Sequence, residues 1–158
     1  QVTIREYEST DFSIVKKLIL EADNFGEPFL ETELLNIRKN TSPGLGKVFV
    51  ATTKDQVIGY ISLDRRIFAL MVDSIIVDRD YQRKGVGRKL VEKAKDFAES
   101  QGFHVLRTDT ATFMGYAIRF YLACGFVPCG YVEHDFGLGS KQLHFYMELK
   151  KEEKPNSI

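Results

Sequence analysis

The sequence predicts a single α/β domain built on a mixed, mostly antiparallel sheet of about seven strands. Three observations carry that prediction. The chain has 158 residues, 44% of them hydrophobic, with 12 phenylalanines, which is one domain by size and enough to bury roughly two thirds of its unfolded surface. Strand-like and helix-like stretches alternate along it in the order β-α-α-β-β-β-α-β-α-β-β. A glycine-punctuated turn joins an apolar strand to an amphipathic helix near its middle. The domain is expected to occupy residues 1–150, leaving 151–158 as a polar tail.

Each element has its own signal. Val2 to Tyr7 alternates as a strand, and "STDF" offers N-cap residues for a helix over Phe12 to Ala22. Glu31 to Asn40 fits a second helix, stopped by "TSPGLG". Val48 to Thr53 and Val57 to Leu63 flank the turn "KDQ" as a hairpin. Phe68 to Val77 is apolar on both faces apart from Asp73 and Ser74, as a covered central strand should be. Leu90, Val91, Ala94, Phe97 and Ala98 then recur at helical spacing, closed by Gly102. His104 to Thr110 reads as a strand, Tyr116 to Cys124 as a short helix ended by Gly125, and Phe126 to Glu133 and Gln142 to Leu149 as two last strands. A right-handed β-α-β crossover is expected around the glycine turn.

Composition narrows the partners. The 22 basic residues equal the 22 acidic ones, so nothing global points to nucleic acid or an anionic membrane surface, and any anion site must be local. The longest apolar run, Ile67 to Val72, is far short of a membrane span, and no signal-peptide pattern is visible at the first residues, so a cytoplasmic protein is expected. Cys124 and Cys129 are too few for a disulfide scaffold or a zinc set and are expected as reduced thiols of the core or its edge. His104, His134 and His144 lack helical ligand spacing, so no metal is expected.

The turn is "DRDYQRKGVGRKL", Asp78 to Leu90. A glycine-rich turn between a strand's carboxyl end and a helix N-terminus aims several backbone N–H groups at one spot, with the positive end of the helix dipole behind them. A phosphate fits there. Arg83, Lys84 and Arg88 add cationic donors, and glycine keeps a Cβ from holding the ligand away. A P-loop is excluded because Arg88 and Lys89 follow Gly87, and Gly46-Lys47 has Thr41 in place of the first glycine. A dinucleotide fingerprint is excluded because its third glycine falls on Leu90.

The spacing that does fit is Gln-x-x-Gly-x-Gly at Gln82, Gly85 and Gly87, five residues after Val77. This resembles motif A of the GCN5-related N-acetyltransferase (GNAT) family. "AIRFYLACGF", Ala117 to Phe126, matches every fixed position of Ala-x-x-Phe-Tyr-x-x-x-Gly-Phe and so resembles the family's motif B. The resemblance extends to element order from the first strand to Leu149. It implies helices on both faces of the sheet and a loop, Gln82 to Arg88 with Val86 inside it, that holds the pyrophosphate of acetyl-CoA. It also implies an acyl arm along Ile75, Ile76 and Val77, with Ala117, Phe120 and Tyr121 on the same cofactor. Two positions depart from the family: Met114 stands where an Asn is frequent, and Arg83 where a Gly is common.

Acylating an amine then sets the chemistry. An alkylamine with pKa near 10.4 is held neutral at pH 7 only at a cost of roughly 4.6 kcal/mol, so a proton acceptor or a desolvating pocket is needed. Asp73 is one candidate, since simple strand alternation puts it on the face of Ile75 and Val77; an ion pair with Arg65 or Arg66 is the other reading of it. His134 and a water chain are further candidates. The resemblance implies Tyr121 as the acid facing the sulfur, against the plainer reading of a core aromatic. The acceptor is expected between the helices after the first strand and the final hairpin, at "EADNFGEPFLE" and "YVEHDFGLGSKQLHF". There Glu21, Asp23, Glu27, Glu31, Glu133 and Asp135 mix with Phe25, Phe29, Tyr131 and Phe136. If these line the mouth rather than two solvated loops, a positively charged small-molecule or peptide amine is favoured. A coenzyme A-binding module without turnover and a domain for another phosphate ligand are the alternatives, and monomer or homodimer is left open.

Overall fold

The structure, a computed structural model, describes residues 1–22, 27–135 and 137–150; the side chains of residues 27 and 28 and the tail expected at 151–158 lie outside that description. The elements are β1 (Thr3–Glu6), α1 (Phe12–Glu21), α2 (Glu27–Asn40), β2 (Gly46–Thr53), β3 (Gln56–Arg65), β4 (Ala69–Val77), α3 (Val86–Ser100), β5 (Val105–Ala111), α4 (Gly115–Ala123), β6 (Val127–Glu133) and β7 (Lys141–Glu148). That is the order read from the sequence, with short 3-10 turns added at Ser9–Asp11 and Arg79–Tyr81. Helix α2 starts four residues before the expected Glu31, because Pro28 is tolerated in a first turn, where its missing N–H has no partner to lose. Asp11 makes no side-chain cap for α1. It accepts a bidentate pair from Arg5 at 2.8 Å each and the N–H of Glu8, tying β1 to the helix start.

The strands form one sheet in the order β1-β2-β3-β4-β5-β7-β6. Among the described residues only β4 and β5 pair in parallel. Period-two alternation sends successive side chains to two cores. Phe49, Ile61, Leu63, Leu70 and Leu106 pack with Leu90, Val91 and Ala94 of α3 and Tyr121 of α4. Val48, Val50, Val57 and Tyr60 pack with Val15, Leu18 and Ile19 of α1 and Ile37 of α2. Helices therefore cover both faces.

Two irregularities in β4 create the space for a site. Its ladder with β5 runs only from Ala69↔Val105 to Val72↔Thr108, so beyond Val72 the strands part and the β5-facing edge of Asp73 to Val77 has no partner strand. Against β3, Ser62 pairs with Ser74 but Leu63 with Val72, which leaves Asp73 as an extra, bulged residue. The bulge overturns the expected alternation. Val72, Ile75 and Val77 belong to the α3 side, whereas Asp73 bonds Asn40 of α2 and Ser74 bonds Tyr60.

The cysteines are both free thiols; Cys124 is half-buried on the α3 side, but Cys129 is exposed on edge strand β6 rather than buried.

Candidate active site

The glycine turn becomes a row of amide donors. Gly85 is the N-cap of α3 with φ +83°, a left-handed conformation that favours glycine, and a Cβ there would meet nothing within 4 Å. Gly87 differs: a Cβ there would lie 3.1 Å from the Phe120 ring, so its absence lets α3 and α4 close together. Lys89 donates to the Gly85 carbonyl at 3.1 Å. The amides of Arg83 to Arg88, ahead of it, find no backbone acceptor among the described residues, as expected of a first helical turn. Arg83 takes φ +60°, which accounts for the glycine common at that position in the family and costs about 1 kcal/mol.

Side chains around the turn divide their work. Gln82 Nε2 donates to the Val77 carbonyl at 3.0 Å, fastening the loop to the end of β4. Arg88 Nη2 donates to the Ala123 carbonyl at 3.3 Å, at the C-terminus of α4. Lys84 is not among the residues lining the cleft; its ammonium lies 5.8 Å from the ring centroid of Tyr81, which does line it.

One cleft of about 1770 Å³ joins this loop to the opposite face of the sheet. Of the expected cofactor contacts, Ile75, Ile76, Val77, Gln82, Arg83 and Gly85 line it, and so do Val86, Gly87, Arg88, Ala117, Phe120 and Tyr121. Tyr121 is 6% exposed and stacks among Phe120, Phe126 and Phe145. Burial pushes its phenol up to about 12, partly offset by the Thr108 hydroxyl, which makes no well-formed hydrogen bond of its own. Full proton release from such a phenol to a thiolate of ordinary pKa would be uphill by about 5 kcal/mol. The arrangement suits hydrogen-bond donation to a leaving sulfur better than free proton loss.

The other half of the cleft is made of carboxylates. Asp73 Oδ2 accepts from Asn40 Nδ2 at 2.8 Å, and that nitrogen also reaches Ser62 Oγ at 2.8 Å. Burial raises the pKa of Asp73, partly offset by the Asn40 donor. Among the described residues Asp73 has no ion pair; Arg66 is bonded to Asp64 instead, at 2.8 Å. Asp109 of β5 stands directly across from His144 of β7, with its pKa likewise raised by burial. Glu33 of α2 is the deepest carboxylate, 3% exposed, and burial raises it to about 7. Beyond Arg79, Arg83 and Arg88 near the loop, the Arg and Lys residues that share the cleft are Arg66, Arg107, Arg119 and Lys141, all exposed.

Phe29 and Asp135 line this half as expected. The Glu27 side chain, Asp23, Phe25 and Phe136 lie outside the described residues. His134 is not on the cleft; it is exposed, with φ +69°, and its Nδ1 accepts the Gly139 N–H at 2.7 Å within the β6–β7 turn. The cleft holds His144 instead, whose two ring nitrogens are buried without a hydrogen-bond partner among the described residues. Asp109, Asp135 and His144 bring one ligand atom each within 4.8 Å of one another, a grouping that could hold a cation and that linear histidine spacing does not reveal.

Sequence reading passed over Glu33 although a signal existed. Phe29, Glu33, Ile37 and Asn40 follow one another at helical spacing on the covered stripe of α2, and Glu33 and Asn40 are its polar interruptions.

Residues 6–126 match the model of the acetyltransferase (GNAT) family, and the chain belongs to that family. It is 29% identical over 113 residues to "Probable N-acetyltransferase camello" of Xenopus tropicalis, covering 69% of this chain and 52% of that protein. The chain spans about half the length of the curated relatives it matches. Its fold superposes on the ribosomal-protein-S18-alanine N-acetyltransferase of Escherichia coli with a TM-score of 0.82 at 20% identity, covering 100% of both chains. It also superposes on yncA of Salmonella typhimurium, solved with acetyl-CoA, with a TM-score of 0.73 at 21% identity, covering 99% of each. No helix among the described residues is long and apolar enough to cross a membrane.

Proposed function

We propose that this chain moves the acetyl group of acetyl-CoA directly to an amine, and that the preferred acceptor is cationic. The observation that carries the reading is the single cleft that joins a row of free backbone amides at a helix N-terminus to a floor of buried carboxylates on the far face of the same parted strands. Acetyl-CoA would supply an activated acyl group as a thioester. The fit rests on chemistry this chain provides. The amides of Arg83 to Arg88 and the dipole of α3 suit a pyrophosphate, and the unpartnered edge of Asp73 to Val77 suits an extended amide-bearing arm.

Residue roles follow from position. Phe120, beside Gly87, and Ala117 wall the cleft with apolar surface. Tyr121 donates a hydrogen bond where negative charge collects on the departing sulfur. Asp73, held by Asn40, faces the acceptor side and helps attract the ammonium. Asp109, Asp135 and His144 offer three acceptors in one place, which matches the three N–H donors of a second ammonium. Release of free thiol from acetyl-CoA, measured with a panel of amines, tests the reading. Amine-dependent release is expected, and its absence with every amine would leave only a coenzyme A-binding module.

A further inference from the structure

Glu33 lies in the acceptor half of the cleft with no part in the roles above. Its carboxylate is held by hydroxyls: Tyr60 Oη donates to Glu33 Oε2 at 3.1 Å, and Ser74 Oγ donates to Tyr60 Oη at 3.0 Å. Tyr60 is wholly buried on β3, and Ser74 follows the Asp73 bulge within the free edge of β4. The Ser74 and Tyr60 hydroxyls both favour its charged form, and Glu33 lines the cleft, where an N–H of the acceptor could meet it. The titratable groups facing it are Tyr60 from β3, Asp73 from β4 and Asp109 from β5, with Glu21 of α1 on the same cleft. The cations nearest to Asp73 are occupied, since Lys39 and Arg66 bond Asp64 at 3.0 and 2.8 Å.

We propose that Glu33 is the base that takes a proton from the acceptor ammonium, with Tyr60 and Ser74 as positioning residues for its carboxylate. This rests on the acetyl-transfer reading. Of the three ammonium protons, one passes to Glu33 and then to solvent, one ends on the thiol and one stays on the amide nitrogen. The lone pair freed by the first transfer forms the C–N bond, and the pair of the broken C–S bond leaves with sulfur. A carboxylate whose pKa burial and the negative charges of Asp73 and Asp109 raise to about 7 matches an alkylammonium far better than one at its ordinary value.

The test compares wild type with Glu33→Gln, which keeps an acceptor for the Tyr60 hydroxyl and nearly the same volume. For an alkylamine, kcat/KM should fall about 100-fold and lose its rise through pH 7. Calorimetric affinity for acetyl-CoA should stay within about twofold, and an arylamine already neutral at pH 7 should lose no more than about threefold. Tyr60→Phe removes a donor to the carboxylate and should move the rise to higher pH. Independently of turnover, carboxyl NMR should show Glu33 titrating near 7. Wild type that turns over while Glu33→Gln keeps its rate and pH profile overturns this inference alone, as does an ordinary carboxylate midpoint. Wild type that acetylates no amine overturns the acetyl-transfer reading and this inference with it.

Discussion

The two halves of the cleft are built by opposite means. The α3 side is made of backbone: consecutive amides, a strand edge and two glycines, with basic side chains exposed around them. The α1–α2 side is made of side chains, with Glu33, Asp73 and Asp109 drawn from three elements and buried enough to raise all three pKa values. Backbone donors bind one shared chemical group whatever the side chains are, whereas a side-chain floor can be tuned to an acceptor. On the proposed reading, common chemistry is thereby separated from specificity by the plane of the sheet.

The carboxylate side also carries a stability cost that depends on pH. Glu33 titrates near 7 when folded and near 4.5 when unfolded, so the native state binds the extra proton between those values. Stability from this group is complete below 4.5 and is lost as pH rises through 7, a difference of about 3 kcal/mol at most. Urea denaturation should find Glu33→Gln more stable than wild type at pH 8.5, with the gain shrinking towards pH 5. A gain that grows as pH falls would contradict the burial argument.

On the backbone side the largest effect belongs to Gly87→Val, whose Cβ presses on Phe120 at 3.1 Å and so distorts the cofactor wall. Calorimetry should show acetyl-CoA affinity weakened more than tenfold, about 1.4 kcal/mol, in a folded protein. Tyr121→Phe should lower kcat about tenfold and leave acetyl-CoA affinity nearly unchanged, because a phenol near 12 acts by hydrogen bonding as the sulfur leaves. A normal kcat would return Tyr121 to the core.

These halves also differed in how legible they were. The loop from Gln82 to Arg88 is contiguous, so glycine spacing, the strand before it and the helix after it are all visible in one stretch of sequence. The carboxylate floor is not contiguous. Asp109 and His144 meet only through the β5–β7 register, which linear spacing cannot show, and the β6–β7 turn consumes the Nδ1 of His134, one of the candidates that the sequence offers. Simple alternation puts Asp73 on the face of Ile75 and Val77, and one bulged residue reverses that alternation. Glu33 was readable in principle, as a charge on the covered stripe of an amphipathic helix. Its burial emerges only once α2 is seen to lie over β3 and β4.

Smaller effects sharpen the same contrast. Asp109→Asn should raise KM for the amine about fivefold and leave that for acetyl-CoA alone, an effect on uniform binding of one substrate. Arg83→Gly relieves the left-handed strain at φ +60° and should stabilise the fold by about 0.5 kcal/mol in thermal unfolding.

The central claim, a carboxylate floor that selects a cationic acceptor, is tested most directly by two acceptors of equal length: an alkyl diamine and the amino acid with a carboxylate in place of its second amine. Their kcat/KM values, compared from low to high ionic strength, isolate the charge of the remote group. The account predicts that the diamine is preferred at least tenfold at low salt and that the preference shrinks as salt screens the floor. An amino acid that matches or beats the diamine, with a ratio independent of salt, would contradict it.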